Sequence, residues 1–326
     1  MAAGDGRGDG AAAGPGPVFV GVDGGGTHTR AVVLDAAGSE IARRSGPAGI
    51  VRPDQPSDAA DAVADLCRGV LRDAGADQAD GLCCGLAGAG RRQEREAVRV
   101  ALHLAGVART IVVVGDAEAA LADAFGDAPG VLVIAGTGSI AWARAEGDAV
   151  DGGAGSGAVF RTGGWGQVLG DEGSGYVIGL DAMRRVTRAA DGREPSTSLT
   201  PAVLAATACA TADDLIRFTA SASKADIAAL APAVLQCAQE GDAAAVTVRA
   251  AAVDALADLA ASAAGRARLE HPRIAFAGGL IEPGGPLRDD LGVAVRHRIP
   301  GCSVLERPVD AARGAAMLAI RHAGAS

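Results

Sequence analysis

The stretch VFVGVDGGGTHTRAVVLD, residues 18–35, decides the fold. An apolar run at 18–22 leads into the turn DGGGT at 23–27, and a second run rich in β-branched residues follows at 29–35. Short apolar runs on either side of a glycine turn are typical of two paired antiparallel strands. The chain is therefore predicted to open on a strand, a tight glycine hairpin and a second strand.

The turn at 23–27 also has the composition of a phosphate site. Glycine has no side chain, so backbone N–H groups can approach phosphate oxygens closely, and threonine adds a hydroxyl donor. The carboxylate of Asp23 ends the first strand, where it can hold a magnesium ion through water. The alternative is a plain hairpin, because Asp-Gly turns are common. The candidate phosphate-binding residues are Gly24, Gly25, Gly26, Thr27 and Thr29.

The same pattern begins again about 110 residues further along the chain. An apolar run at 131–135 meets the turn GTGS at 136–139, and 140–144 runs back with alternating residues. The glycine spacing of this turn also fits the dinucleotide-binding fingerprint, but that fingerprint requires a helix directly after the turn. We therefore predict a second phosphate-binding hairpin, with Thr137 and Gly138 as donors, and two lobes of similar architecture.

Periodicity in the remaining sequence completes an α/β chain. The predicted elements are helices at 59–74, 91–104, 117–124 and 311–321, and strands at 81–86, 110–114 and 273–277. Residues 198–270 are alanine-rich with helical periodicity, which is broken at Pro232 and Gly241. The pair Gly278-Gly279 predicts a sharp turn after the last strand.

Length and charge exclude several classes of protein. The 326 residues suit two lobes with separate cores, and 49% hydrophobic with 21% charged residues is typical of a folded protein in water. A net charge of −9 argues against general binding to nucleic acid or to an anionic membrane, which needs a basic face. No apolar run approaches the ~20 residues that a membrane helix requires.

Lysine is almost absent from the chain. Of the 30 basic residues only Lys224 is a lysine, and its neighbours in ASKA do not form a Walker A loop. The motifs of protein kinases and of penicillin-binding proteins also need lysines that are missing here. Any nucleotide is therefore expected to be held by two backbone-rich loops without lysine.

The cysteines carry no metal or redox motif. No two of the six are spaced as Cys-x-x-Cys, so we expect free thiols and a cytoplasmic setting. Residues 1–17 consist largely of Gly, Ala, Asp and Pro, and we interpret them as a disordered tail that is not a signal peptide.

Asp116 is the candidate catalytic residue. It follows the strand predicted at 110–114 and precedes a helix, and strand C-terminal ends converge on the functional edge of an α/β sheet. A carboxylate there can act as general base towards an attacking hydroxyl. The alternative is a helix cap worth about 1 kcal/mol, and both roles can belong to one residue.

The segment 163–176 is the densest cluster of unusual residues. Six glycines in fourteen residues are atypical of a regular element, yet the segment also carries Trp165, Asp171 and Glu172. Carboxylates fixed in such a loop suit recognition of a polyol through its hydroxyl hydrogens. The alternative is a flexible exposed linker, which rarely contains tryptophan.

Together these motifs resemble those of N-acetylglucosamine kinases, which are BadF-type ATPases of the actin and hexokinase superfamily. The resemblance covers about 18–319 and is most specific in the glycine-tryptophan segment that ends in Asp-Glu-Gly-Ser. The motifs that carry it are 23–27, 135–139, 163–166 with 170–174, and 277–279.

The resemblance implies an α/β fold of two actin-like, ribonuclease H-like lobes. Each lobe would contain a mixed five-stranded sheet flanked by helices, with a cleft between the lobes that closes on substrate. The implied N-terminal lobe is 18–118, the C-terminal lobe is 119–310, and 311–326 is a closing helix that packs back on the N-terminal lobe.

The resemblance also implies an activity and its residues. The implied reaction is ATP- and Mg²⁺-dependent transfer of phosphate to the 6-hydroxyl of an amino sugar, with Asp116 as base and no nucleic-acid or membrane partner. Gly164 and Asp171 match sugar-contacting positions, Thr162 stands where the animal enzymes have a cysteine, and a homodimer is expected. The positions that match the nucleotide site are Gly24, Gly25, Gly26, Thr27, Thr137, Gly138, Gly278 and Gly279.

One departure leaves the acceptor open. The asparagine that commonly contacts the sugar is missing from GPAGI at 46–50, so glucosamine, N-acetylmuramate or another hexosamine remain alternatives to N-acetylglucosamine. An activator ATPase of a 2-hydroxyacyl-CoA dehydratase would need closely spaced cysteines after the second hairpin, and 136–208 has none. A sugar-sensing repressor would need a DNA-binding helix pair ahead of Val18. We expect neither the activator ATPase nor the repressor.

Overall fold

The computed structural model describes residues 16–25, 28–47, 49, 56–89, 91–147 and 157–324. The strands are β1 (Val18–Gly24), β2 (Thr29–Asp35), β3 (Glu40–Gly46), β4 (Ala79–Leu86), β5 (Ala108–Gly115), β6 (Gly130–Ala135), β7 (Ser139–Arg144), β8 (Val159–Gly163), β9 (Arg273–Ala277) and β10 (Ser303–Val304). The helices are α1 (Pro56–Asp73), α2 (Arg92–Leu104), α3 (Asp116–Phe125), α4 (Gly175–Ala190), α5 (Leu199–Thr207), α6 (Asp214–Ser221), α7 (Lys224–Ala228), α8 (Ala231–Gln239), α9 (Ala243–Arg266), α10 (Arg288–Arg298) and α11 (Ala311–Gly324).

The first sheet has the order β3-β2-β1-β4-β5. β1 pairs antiparallel with β2, and β2 with β3, whereas β4 pairs parallel with β1 and with β5. The glycine turn between β1 and β2 joins them as a hairpin, so the predicted strand–turn–strand opening is confirmed. The sheet is mixed and five-stranded, as expected.

The second sheet has the order β10-β9-β6-β7-β8. β6 and β7 form the second antiparallel hairpin, and β9 pairs parallel with β6. Because the turn at 136–138 leads into a strand, the dinucleotide-binding alternative is excluded for this turn. The prediction that both sheets contain the same strand–turn–strand hairpin is confirmed.

Two compact units divide the chain. The first unit comprises the chain up to Asp123 together with Asp310 onwards, and the second comprises Ala124–Val309. α11 packs on the first sheet at Gly21, where an added Cβ would lie 2.0 Å from the carbonyl oxygen of Ala312. The tail expected at 1–17 falls almost entirely outside the described residues.

The alanine-rich region forms five helices within the described residues, α5 to α9. Gly241 separates α8 from α9 with φ +90°, as its predicted role as a breaker requires. Pro232 does not break a helix. It is the second residue of α8, where its missing N–H costs no intrahelical bond. Within the described residues, no helix is both long enough and apolar enough to cross a bilayer.

Candidate functional site

The first hairpin is held at its base by backbone hydrogen bonds. Gly25 N–H donates to the carbonyl of His28 over 3.1 Å, and Ala87 N–H donates to the carbonyl of Gly24 over 2.8 Å. An added Cβ on Gly24 would lie 2.5 Å from Cδ2 of Leu86, so this position has no room for a side chain. Gly26 and Thr27, which were expected to bind phosphate, lie outside the described residues.

Thr29 stabilises the base of the first hairpin. Its side chain is buried, and its hydroxyl donates to the carbonyl oxygen of Pro47 over 2.6 Å. Gly49 lies against the same hydroxyl, because a Cβ there would be 2.6 Å from Oγ1. The hydroxyl therefore ties the segment after β3 to the hairpin.

Asp23 is the penultimate residue of β1 and lies half-buried near other carboxylates. The pKa of Asp23 is raised to about 6, chiefly by burial; the positive charge of Arg30 opposes this rise, and the negative charges of Asp116 and Asp310 add to it. A carboxylate in such surroundings gains from a nearby cation, because the cation offsets both desolvation and like-charge repulsion.

Close packing brings the end of β1 and the start of α3 together. Asp23 stands opposite Gly85 in the β1–β4 pairing. An added Cβ on Gly85 would lie 2.7 Å from the Cβ of Ala119 and 3.6 Å from the Cα of Asp116. Glycine at position 85 thus allows α3 to approach the sheet, and this approach lets the charges of Asp23 and Asp116 interact.

Asp116 is the first residue of α3 and its side chain is exposed. Its Oδ1 accepts a hydrogen bond from the N–H of Ala117 over 2.8 Å. Among the described residues, its second oxygen has no hydrogen-bond partner. One carboxylate can therefore stabilise the helix start and still present a free oxygen to a hydroxyl group.

Asp310 is a member of this acidic group that the sequence patterns did not indicate. Its burial alone would raise its pKa, but a hydrogen bond from Arg43 and one from the N–H of Arg313 lower the pKa below its usual value. The Arg43 guanidinium lies 2.6 Å from Oδ2 of Asp310. Asp310 is consequently ionised and adds negative charge near Asp23.

The second hairpin is joined to the segment that precedes α4. Gly136 N–H donates to the carbonyl of Gly138 over 2.9 Å, and Gly175 N–H donates to the carbonyl of Gly136 over 2.8 Å. The Ser139 hydroxyl donates to the carbonyl of Glu172 over 2.6 Å. Thr137 is exposed at the tip. Hydrogen bonds therefore hold the chain before and after Thr137 and Gly138, the donors predicted from the sequence.

Asp171 lies beneath this hairpin in a strained backbone conformation. Its φ is +62°, a value that costs a non-glycine residue free energy, and only 3% of the residue is exposed. Oδ1 accepts a hydrogen bond from the N–H of Ser139 over 3.2 Å. Oδ2 lies 2.7 Å from Nζ of Lys224, the single lysine of the sequence.

Lys224 is a residue that the sequence reasoning left without a role. An added Cβ on Gly138 would lie 2.7 Å from Nζ of Lys224 and 2.8 Å from Oδ1 of Asp171. The ammonium group is thus in contact with the backbone of the second hairpin. α7 therefore brings its first residue, the single lysine, to a turn that was expected to bind phosphate through backbone-rich donors without lysine.

The turn at Gly278 and Gly279 lies against the start of the second hairpin. Gly278 has φ +90°, and a Cβ there would lie 2.4 Å from the carbonyl oxygen of Ala135. Leu280 N–H donates to that same carbonyl over 3.3 Å. The end of β6 and the turn after β9 therefore form one support.

A cavity of about 580 Å³ opens beside these two turns in the second unit. Its walls include Thr137 from the hairpin, Gly279 from the turn, and Ala225 and Leu235 from α7 and α8. The volume and the mostly apolar wall suit a ring system of nucleoside size, because small-molecule sites are usually apolar with a few polar groups. Gly136 and Thr137 of the second hairpin line the cavity.

Two further positions predicted from the sequence, Thr162 and Gly164, lie at the end of β8 and at the start of the glycine-tryptophan loop. Gly164 has φ +67°, and a Cβ there would lie 2.4 Å from Cδ1 of Ile140. The hydroxyl oxygen of Thr162 is buried without a hydrogen-bond partner among the described residues. Arg161 covers the exposed ring of Trp165 at 4.5 Å from its centroid.

Three of the expected features of the site gather in each unit. In the first unit these are the hairpin, Asp23 and Asp116; in the second they are the hairpin, Asp171 and the Gly278-Gly279 turn. Among the described residues, no group of three or more His, Cys, Asp or Glu side chains could bind a metal by itself. A hard cation at Asp23 would therefore need ligands from water or substrate.

Comparison with known proteins agrees with this geometry. A model of the BadF/BadG/BcrA/BcrD ATPase family matches residues 20–319. An N-acetyl-D-glucosamine kinase of Dictyostelium discoideum is 31% identical over 320 residues, which cover 93% of this chain and 98% of that protein. An N-acetylmuramic acid/N-acetylglucosamine kinase of Clostridium acetobutylicum is 33% identical over 168 residues, 51% of this chain and 52% of that protein.

Among solved structures, one from Chromobacterium violaceum with a provisional N-acetylglucosamine kinase name superposes with a TM-score of 0.74 at 28% identity. The superposition covers 93% of this chain and 99% of that one. The resemblance inferred from the motifs and the two-sheet actin-like fold are both confirmed.

Proposed function

We propose that this chain, which belongs to the BadF/BadG/BcrA/BcrD ATPase family, is an ATP-dependent kinase of the 6-hydroxyl of an amino sugar, with N-acetylglucosamine as the first candidate. The observation that carries the proposal is the match over nearly the full length of both chains to an N-acetyl-D-glucosamine kinase. N-acetylmuramate is the second candidate acceptor, supported by the name of the shorter match.

The nucleotide is proposed to bind through backbone donors. Gly24, Gly25, Gly26 and Thr27 of the first hairpin, and Thr137 and Gly138 of the second, contribute N–H and hydroxyl groups to the phosphates. The cavity beside Gly279 takes the nucleoside. Phosphoryl transfer depends mainly on positioning and on stabilisation of charge, which such preorganised donors supply.

The residues present fit a magnesium ion at Asp23. Its half-buried carboxylate has a pKa raised to about 6 and faces two other acidic groups, so a cation there removes an electrostatic cost. Magnesium usually keeps several waters and takes one or two carboxylates together with substrate phosphates. When bound, the ion would neutralise charge on the phosphate oxygens.

Asp116 is proposed to act as the general base. The free oxygen of the Asp116 carboxylate accepts the proton of the sugar 6-hydroxyl. The hydroxyl oxygen attacks the terminal phosphorus, and the nucleoside diphosphate leaves. The hydrogen bond from the N–H of Ala117 keeps the carboxylate oriented.

Gly164, Thr162 and Asp171 are proposed to contact the sugar. Gly164 has a left-handed backbone, and the buried hydroxyl of Thr162 lacks a hydrogen-bond partner among the described residues, which a polar ligand could supply. Oδ1 of Asp171 already accepts the N–H of Ser139 and can accept a second hydrogen bond. A sugar hydroxyl can therefore use Asp171 without breaking its contact to Ser139.

A cytoplasmic location and a homodimer complete the proposal. All six cysteines are free, as is usual for proteins of a reducing compartment. Size-exclusion chromatography with light scattering tests the dimer.

The activity is tested by ADP release across a panel of hexoses and amino sugars, with a control that lacks sugar. We expect turnover with N-acetylglucosamine or a close relative and little turnover without sugar. Turnover in the sugar-free control alone would contradict the proposal and favour the activator ATPase. A D116N variant measured in parallel separates this protein's activity from a contaminating kinase.

A further inference from the structure

The single lysine of the sequence occupies a defined place that the backbone-donor model of phosphate binding leaves unexplained. Lys224 is the first residue of α7, and Ser223 caps this helix by accepting a hydrogen bond from the N–H of Asp226 over 3.2 Å. Asp226 in turn accepts the N–H of Ser223 over 2.8 Å. This reciprocal cap fixes the backbone from which the Lys224 side chain leaves.

Asp171 then fixes the other end of the side chain. Its Oδ2 lies 2.7 Å from Nζ of Lys224, and the carboxylate side chain is 5% exposed. A buried carboxylate without a partner is costly, so the ion pair is a stable feature of the site. The carboxylate accepts Ser139 N–H with its other oxygen, which places lysine and hairpin on one anchor.

The ammonium still has capacity for a ligand. An ammonium group has three N–H donors, and the contact of Lys224 with Asp171 is an ion pair with 2.7 Å between Nζ and Oδ2. Among the described residues it has no second acceptor, although a third of the Lys224 side chain is exposed. Its neighbour Ala225 lines the cavity together with Gly136 and Thr137 of the hairpin. An anion at the hairpin would therefore meet both backbone N–H groups and this ammonium.

We propose that Lys224 is a nucleotide-binding residue, whose ammonium group, anchored by Asp171, contacts the phosphates of the nucleotide at the hairpin Gly136–Ser139. The inference rests on the proposed function, because it assumes that this hairpin binds a nucleoside triphosphate. Anchoring by Asp171 preorganises the cation, so little side-chain entropy is lost when phosphate binds. Lys224 thus supplies a full positive charge, which the backbone donors lack.

The test is a nucleotide series measured by isothermal titration calorimetry with ATP, ADP and AMP. A charge-assisted contact to the outer phosphates predicts that K224M weakens ATP and ADP binding about tenfold or more and changes AMP binding much less. K224R keeps a cation that can pair with Asp171 and is expected to retain most of the affinity. Because Asp171 is also proposed to contact the sugar, the nucleotide series and not the KM for the sugar is the test of this role.

R217M is the matched control. It removes one exposed positive charge from α6 of the same unit, outside the hairpin and the cavity, and should leave all affinities unchanged. Should K224M unfold because Asp171 loses its partner, K224Q keeps a donor for Asp171 and removes only the charge. Equal weakening of AMP and ATP in K224M or K224Q would show that Lys224 merely supports the hairpin, and would overturn the inference.

The proposed function can fail separately. A wild-type protein that binds none of the three nucleotides would contradict the kinase proposal itself. Wild-type binding that K224M and K224Q leave unchanged would contradict only the role of Lys224.

Discussion

Asp123 accepts a hydrogen bond from the backbone N–H of Asp310, with 3.0 Å between Oδ2 and N. Asp123 lies in α3, where the chain leaves the first unit, and Asp310 lies where the chain returns to it. The bond therefore joins the two ends of the first unit's interrupted sequence. Asp123, the acceptor of this hydrogen bond, is buried, with 5% of the residue exposed.

Close packing of α3 and α11 depends on Gly314. An added Cβ would lie 2.0 Å from the carbonyl oxygen of Ala119 and 2.7 Å from the N–H nitrogen of Asp123, and backbone atoms cannot rotate away. We expect G314A to lower the free energy of unfolding by about 3 kcal/mol or more. Urea unfolding measures the change.

G324A provides the control within the same helix, because a Cβ on Gly324 would meet nothing within 4 Å. It should be neutral or slightly stabilising, since alanine favours helix more than glycine does. Equal stability of the two variants would show that α11 can move away from α3 without cost.

Replacement of Asp116 separates its two roles. D116N keeps an oxygen that can accept the Ala117 N–H but cannot take up a proton, so we expect an unchanged melting temperature. The kcat should fall by about 10² to 10⁴, with little change in the KM for sugar. D116A should lose activity similarly and also lose about 1 kcal/mol of stability. Full activity in D116N would reduce Asp116 to a helix cap.

The hairpins could be predicted from the sequence because their signal is local. In 18–35 and 131–144 the apolar runs and glycines that form each hairpin are adjacent in the chain. The spacing of apolar residues and the residue types of the turn are therefore enough to predict each hairpin. β3 was not predicted, because its segment EIARRSG is mostly exposed at the sheet edge and lacks alternating burial.

The site residues that the sequence missed depend on contacts between distant segments. Lys224 reaches Asp171 across 53 positions, and Asp310 reaches Arg43 across 267. No spacing rule covers such pairs, since the fold alone brings them together. The one available signal for Lys224 was that it is the single lysine.

Asp23 should make stability depend on pH. Its folded pKa of about 6 lies above the ordinary value of 3.8, so folding favours the protonated form. The stabilisation is fully present below about pH 4 and is lost as the pH rises through about 6. D23N removes the charge, and we expect it to be more stable than wild type at pH 7.5 by at most about 3 kcal/mol.

The comparison is made by urea unfolding from pH 4 to 8 without divalent cations. The stability difference between D23N and wild type should shrink to near zero below pH 4. A difference that is constant across this range would show that Asp23 titrates normally. D35N, at a strand end in the same sheet, is a control for loss of a carboxylate.

The turn after β9 offers a comparison of two glycines with nearly equal backbone conformations. Gly278 has φ +90° and Gly284 has φ +86°, so alanine at either position bears a similar conformational strain of about 1 kcal/mol. They differ in surroundings. A Cβ on Gly278 would lie 2.4 Å from the carbonyl oxygen of Ala135, whereas one on Gly284 would meet nothing within 4 Å.

G278A must therefore push the turn away from the end of β6, which leads directly into the second hairpin. Because Leu280 is bonded to the same carbonyl of Ala135, the wall of the cavity should shift with it. We expect the KM for ATP to rise about tenfold or more in G278A and to change less than twofold in G284A, with the KM for sugar little altered in either. Equal effects of the two substitutions on ATP would place the nucleoside away from this turn, because only G278A displaces the support that the turn shares with the hairpin.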